Sequence, residues 1–288
     1  MSQSLRRAGP WPMAAERVYA AMLRRRVALL KGIILEQAEP ILSAGIERDR
    51  DRVDALDPEA LYWPVDPWRA ERWYDGRAVL PVHGDLLETA IRGDVDQSLV
   101  AEFLALVQRI RGRLVTVFPV SADRMGSIAN QVDRINARNV SRQLGQSVER
   151  GAVTQAQLRI WARENAALIQ GMDARILDDL SRAVVRAETE GLLTRDLGKV
   201  LNERFAIARR KADLIGRDQV GHLNAQITRT RQMAAGFTRF RWRDSGDQRV
   251  RPLHEEIDGE VFDYPQGHPT EGIPGQPILC RCTATPVR

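Results

Sequence analysis

Apolar residues near the start of the chain recur at helical spacing. Leu23, Val27, Leu30 and Ile34 follow one another at steps of four, three and four, which sets them on one face of a helix from about Met13 to Ser43. Val18, Met22, Leu29 and Ile33 would widen that face. From Leu56 to about Leu87 the periodicity fails, because Pro58, Pro64, Pro67 and Pro81 interrupt it and Trp63, Trp68 and Trp73 punctuate it. Such a stretch either wraps over a neighbour or packs as a loop. Helix resumes at about Asp96, where Val100, Phe103, Val107, Ile110, Leu114 and Val117 alternate three and four apart. That pattern is a single apolar seam against a partner helix.

Four more helices are expected after it, with a short fifth among them. The first runs from Ser121 or Ala122 to Arg150, with Asp123 suited to its N-terminus and Ile128, Val132, Ile135, Leu144 and Val148 inside. The next two cover about Thr154–Ile169 and Asp173–Glu190. Thr194 would cap a short helix to about Phe205, and a last helix runs from about Ala208 to Ala235 with Gly236 as its C-terminal stop. The period then changes to two. Phe237 to Trp242 alternates apolar and polar, as a half-buried strand does. Asp258-Gly259 between Glu255-Glu256-Ile257 and Glu260-Val261-Phe262 is a turn signal. Pro265 to Pro277 should be irregular and Ile278 to Val287 extended. The expected fold is mainly α: an elongated helical body followed by a small, loop-rich α+β C-terminal cap. Three regions follow: 1–95, the N-terminal helix and Pro/Trp-rich connection; 96–210, the helical body; and 211–288, the C-terminal module.

Composition narrows the function classes. The chain has 288 residues, 28% of them charged, with a formal net charge of +5. An arginine-rich excess suits phosphates and carboxylates alike. Arg24, Arg25 and Arg26 on the first helix, after Arg6, Arg7 and Arg17, form a solvated basic face or a surface for DNA or an acidic protein. Arg239, Arg241 and Arg243 would share one strand face opposite Phe240 and Trp242, which makes them candidates for the same contacts. No apolar run is long enough to span a membrane, and Arg6 and Arg7 are not followed by the apolar stretch of a signal peptide. The two cysteines, both near the C-terminus, do not make a secreted disulfide scaffold and fit a reducing cytoplasm.

The chemistry-bearing residues gather at the end. Asp247, Arg249, Arg251, His254, Asp258 and Gly259 crowd one turn-rich span, and Cys280-Arg281-Cys282 follows. A small module with little apolar area needs polar glue, so one reading makes these residues a structural framework in which Asp247 and Asp258 pair Arg249 and Arg251. A second reading places zinc on His254, Cys280 and Cys282, with His268, Asp247 or Asp258 as fourth ligand. Cys-x-Cys is not the usual Cys-x2-Cys spacing of structural zinc sites, and no cofactor is required by the framework reading. A third reading is catalytic: a nuclease built on His254 and Asp258, or an ADP-ribosyltransferase built on Glu188 and Glu190. It lacks a phosphate-cradling loop or a nucleophile elbow, and the chain is expected not to be an enzyme.

Read in order, the C-terminal strings resemble the Mu F-like phage head-morphogenesis family. They are Leu214-Ile215-Gly216-Arg217-Asp218-Gln219, Gly236 with Trp242, Gly246 to Arg251 with His254, Asp258 to Phe262, and Pro274 to Cys282 with Pro286-Val287. Upstream, Trp161, Asn165, Leu168 and Ile169 also fit, whereas residues 1–150 share only a general helical character. Thr270-Glu271-Gly272-Ile273 interrupts a stretch that is often continuous in the family, which counts against His268 as a ligand. The resemblance implies a minor head protein of a tailed phage or prophage. It implies the portal protein, and the procapsid with its major capsid protein or scaffold, as partners, with packaged DNA as a further, non-specific candidate and no membrane. It places the protein in the host bacterial cytoplasm during assembly and then in the virion head.

Overall fold

The computed structural model describes residues 11–54, 62–64, 72–74, 77–81, 97–117, 119–190, 192, 194–264 and 266–288. Arg6, Arg7, Pro58, Pro67 and Trp68, singled out above, lie outside the described residues, as does the side chain of Glu188. The elements in order are α1 (Met13–Asp54), β1 (Tyr62–Pro64), β2 (Arg72–Tyr74), β3 (Arg77–Pro81), α2 (Gln97–Val117), α3 (Ala122–Leu144), α4 (Ala152–Thr189), α5 (Thr194–Ala234), β4 (Arg239–Arg243), α6 (Pro252–Glu256), β5 (Val261–Asp263) and β6 (Thr283–Val287). The fold is mainly helical with a small α+β module at the C-terminus, as the periodicity predicts. Its helices are longer than expected. The segments expected as 154–169 and 173–190 are one helix, because Gly171 weakens a helix by only about 1 kcal/mol and no proline intervenes. The segments 194–205 and 208–235 likewise merge into α5, since Ala206 and Ile207 carry no break signal. By contrast α3 stops at Leu144 rather than Arg150, because Gly145 takes the left-handed conformation at φ 70°. Its start is as expected: the Ser121 hydroxyl accepts the Arg124 N–H at 3.3 Å.

The contacts resolve into two compact units, each discontinuous in sequence. One comprises residues 28–118 and 173–208. Its core takes Leu30 and Ile34 of α1, Ile176, Leu180 and Val184 of α4, and Leu201 and Phe205 of α5, all buried. The expected seam of α2 is buried from Val100 to Leu114. Thr194 opens α5, and its N–H donates to the Asp49 carboxylate at 3.1 Å, so an acidic group on α1 meets the positive end of the helix. Within the Pro/Trp-rich stretch, β1 and β2 flank β3 in an antiparallel sheet, with Trp63 opposite Leu80 and Trp73 opposite Ala78.

The other unit comprises residues 1–27, 119–172 and 209–288. Here α1 buries Ala15, Tyr19, Ala20 and Leu23, while Val18 is 49% exposed, and Leu29 further along is also exposed. The expected seam of Leu23, Val27, Leu30 and Ile34 is buried throughout, and Ala15, Tyr19 and Ala20 extend it toward the N-terminus; of the positions expected to widen it, Val18 and Leu29 are exposed. A Cβ on Gly216 of α5 would lie 3.0 Å from the Ala20 backbone, so the two helices close to contact there. The Tyr19 hydroxyl donates to Asn165 at 2.8 Å, and the Trp161 indole donates to the Gln219 carbonyl at 3.1 Å. Between α3 and α5 lies a buried polar seam. Arg231 bonds the Asp133 carboxylate and the Asn136 carbonyl oxygen, each at 2.6 Å, and Asn136 donates to Asn224 and Thr228. Arg150 reaches the other oxygen of Asp133.

Candidate metal centre

The C-terminal module is built on β4. Antiparallel β5 and β6 flank it, with Phe240 opposite Phe262 and Pro286, and Trp242 opposite Ala284. Alternation sends Phe240 and Trp242 inward to full burial and turns Arg239, Arg241 and Arg243 to the other face, as expected. The core they enter also holds Ala225 of α5, Ile257, Tyr264, Ile273, Cys280, Cys282 and Ala284. Arg251 precedes α6 with extended backbone, and Pro252 occupies the first turn, where a missing N–H costs nothing. That short helix carries His254 into the core at 2% exposure. Asp258-Gly259 lies in a turn, as expected, between the end of α6 and β5. Glu255 and Glu256 belong to the helix, and the Gly259 N–H donates back to the Trp242 carbonyl at 3.0 Å.

Three donor atoms converge. Nδ1 of His254 lies 3.6 Å from Cys280 Sγ and 3.4 Å from Cys282 Sγ, and all three residues are buried. The other ring nitrogen, Nε2, meets the Glu271 carboxylate at 2.8 Å. A neutral ring therefore carries its proton on Nε2 and directs the Nδ1 lone pair at the two sulfurs. Cys280 Sγ also accepts the N–H groups of Gly275 and Cys282, both at 3.4 Å. Hydrogen bonding from Cys282 and from those amides brings the Cys280 thiol down to about 6 against the effect of burial. Cys282 is pushed up, first by its bond to Cys280 and then by burial. The buried Trp242 indole N–H has no ordinary acceptor, and it favours an ionised Cys282. Its ring stands edge-on to His254 at 5.1 Å between centroids.

None of the three expected fourth ligands joins this cluster. His268 Nδ1 accepts the N–H groups of Thr270 and Glu271 at 3.4 and 3.3 Å, so it closes its own loop. Asp247 pairs with Arg281 and accepts the Arg249 N–H at 3.0 Å. Asp258 pairs with Arg243 at 3.5 Å and accepts the Asp244 N–H at 2.9 Å. The expected Arg249 and Arg251 pairings with these aspartates are therefore replaced: Arg251 donates to the Ile278 carbonyl at 2.6 Å and lies 3.8 Å from Glu271.

Two residues that sequence reasoning missed hold the site. Glu271 orients His254, and it comes from the stretch that departs from the family pattern. Asp218 on α5 accepts the Leu279 N–H at 2.7 Å, which supports a leucine at φ +56° just before Cys280. A strained non-glycine residue persists only where its surroundings hold it. Asp218 was visible as part of a motif, but nothing in the sequence said what it holds. The arginines proposed for phosphate contact are partly engaged. Arg241 donates to the Gly259 carbonyl and Arg239 to the Arg288 carbonyl, both at 2.6 Å, and Arg24 pairs with Asp213.

A helical body carrying a three-stranded module closed over a His–Cys cluster is the class of protein the fold and site define. Residues 174–285 match the family described as phage Mu protein F like protein. The resemblance expected from the C-terminal strings therefore holds for that segment, while Trp161, Asn165, Leu168 and Ile169 precede it. An uncharacterized protein of Haemophilus influenzae (strain ATCC 51907 / DSM 11121 / KW20 / Rd) is 34% identical over 123 residues, which is 43% of this chain and 28% of that protein. The match thus spans under a third of that relative's length. No solved structure matches.

Proposed function

We propose that the protein is a minor head protein of a tailed phage or prophage. It associates with the portal and with the procapsid, through the major capsid protein or scaffold, during head assembly in the host cytoplasm, and it remains in the virion head. The observation that carries this reading is the match of residues 174–285 to the phage Mu F-like family. That segment contains the module up to the middle of β6, including the bonds that Asp218 and Glu271 make to hold it. A non-enzymatic role is supported by the burial of His254, Cys280 and Cys282 within the module. No described helix is long and apolar enough to cross a membrane. The net charge of +5 supports a weak, non-specific contact with packaged DNA.

Co-expression with the portal, major capsid and scaffold proteins of the same phage genome tests the reading. The protein is expected to sediment with procapsids and to be lost from them when the portal is omitted. Recovery only at the top of the gradient, together with nuclease or ADP-ribosyltransferase activity that His254→Ala abolishes, would reverse it.

A further inference from the structure

We propose that His254 Nδ1, Cys280 Sγ and Cys282 Sγ hold one zinc ion, with water in the fourth position, and that this ion cross-links α6 to the segment entering β6. The donor spacing is the first ground. Zinc bonds of about 2.3 Å to sulfur and 2.0–2.1 Å to nitrogen, at a tetrahedral angle, separate those donors by about 3.6 Å. The two nitrogen–sulfur separations here are 3.6 and 3.4 Å. The Nδ1 lone pair can accept one S–H, yet two sulfurs converge on it. A cation satisfies all three donors together.

The surroundings are those of a metal site. Glu271 on Nε2 fixes the ring tautomer and raises the basicity of Nδ1, as a carboxylate behind a metal-bound histidine does. Two backbone amides donate to Cys280 Sγ, which suits a thiolate. Zinc binds the cysteines as thiolates, and the ion with two thiolates and a neutral imidazole is uncharged. An uncharged centre suits this depth, because an isolated charge there would be costly. Thiolate and imidazole donors in tetrahedral disposition select zinc over magnesium or calcium, which take oxygen.

Three protein ligands can also mark a catalytic zinc. Space decides against that here. The cavity beside Cys282, lined also by Asn139, Gln143, Tyr264 and Gly275, has a volume of about 20 Å³. That is room for about one water molecule, since a water needs at least ~10–15 Å³, and a substrate would not fit. The ion is therefore structural. It ties together a module whose own apolar core is small.

The test uses the tag-free full chain, purified under reducing conditions. Elemental analysis should find a single zinc per chain. Exchange with cobalt(II) should give a thiolate-to-cobalt charge-transfer band in the near ultraviolet and the intense visible bands of tetrahedral coordination. Cys280→Ser and Cys282→Ser should each lose the ion. Should those variants fail to fold, the cobalt spectrum of the wild type decides by itself. Glu271→Gln should keep the spectrum but weaken zinc affinity by about 10–100-fold. No metal after zinc reconstitution, cobalt bands without thiolate charge transfer, or zinc retained in folded Cys282→Ser would each overturn the inference. The outcome is separable from the assembly reading, because zinc content is measured without procapsids.

Discussion

Substituting Asp133 by Asn tests whether the polar seam between α3 and α5 is held by charge. Asp133 and Arg231 are both nearly inaccessible, at 4% and 3% side-chain exposure, and one Asp133 oxygen meets Arg231 at 2.6 Å. The substitution keeps the shape and an acceptor but leaves the guanidinium buried without a counter-charge. Breaking a buried pair in that way costs about 3–5 kcal/mol. The retained amide oxygen and the Asn136 acceptor, also at 2.6 Å, argue for the lower end, about 3 kcal/mol. Arg150 is the internal control, because it pairs with the same carboxylate from a side chain that is 38% exposed. Solvent screening limits its contribution to about 1 kcal/mol or less. Thermal unfolding followed by circular dichroism should therefore show Asp133→Asn melting about 6–12 °C below wild type. Arg150→Ala should shift by no more than about 4 °C. Equal shifts for the two variants, or an Asp133→Asn protein within about 1 kcal/mol of wild type, would refute the account of the seam.

Four further outcomes follow from other contacts. Gly216→Ala puts a Cβ 3.0 Å from the Ala20 backbone, which cannot swing aside; chemical denaturation should show a loss of about 1–3 kcal/mol. Gly198→Ala, with nothing within 4 Å of the new carbon, should gain about 0.5–1 kcal/mol. Burial raises the phenols of Tyr19 and Tyr264 above their ordinary value of 10.0. Above that pH the unfolded chain loses phenolic protons that the folded chain keeps, so their share of stability is full below it and declines as pH rises. The Tyr19→Phe, Tyr264→Phe double variant should show a shallower alkaline loss in denaturant titrations, and an unchanged slope would contradict the assignment. Asp218→Ala should loosen the Leu279 turn, seen as faster amide exchange at Leu279, whereas Asp218→Asn keeps the acceptor and should restore protection.

The helical body was legible because burial follows period. Val100, Phe103, Val107, Ile110 and Leu114 recur at helical spacing and are all buried. What periodicity could not show was continuity across Gly171 or between Phe205 and Ala208, since a boundary requires a stop and neither place has one. The seam of α1 was legible in the same way, since Leu23, Val27, Leu30 and Ile34 are all buried, but its width was not: Val18 and Leu29 are apolar and exposed, while Ala15 and Ala20 are small and buried where helix contact is close. Asp133, Asn136 and Asn139 are buried polar residues at helical spacing on α3. Their partners on α5 lie nearly ninety residues or more away in sequence, beyond any local pattern.

The candidate site shows the same limit more sharply. Cys-x-Cys was a weak metal signal because one intervening residue does not by itself turn two side chains to one point. Here the turn at Leu279 and the N–H of Cys282 folding onto Cys280 Sγ bring the sulfurs together. His254 joins them because α6 is only five residues long and begins at a proline. Had the strip from Arg251 to Ile257 been extended, His254 would have alternated with its neighbours instead of sharing a helical face with Ile257, also buried. The arginines of the module follow the same logic. Arg241 and Arg251 each place a guanidinium on a main-chain carbonyl, while Arg243 and Arg281 each meet an aspartate. Their charge is partly committed to holding the module's loops. Any contact with phosphate through this face must compete with those bonds, so replacing Arg241 or Arg243 should lower stability before it lowers affinity.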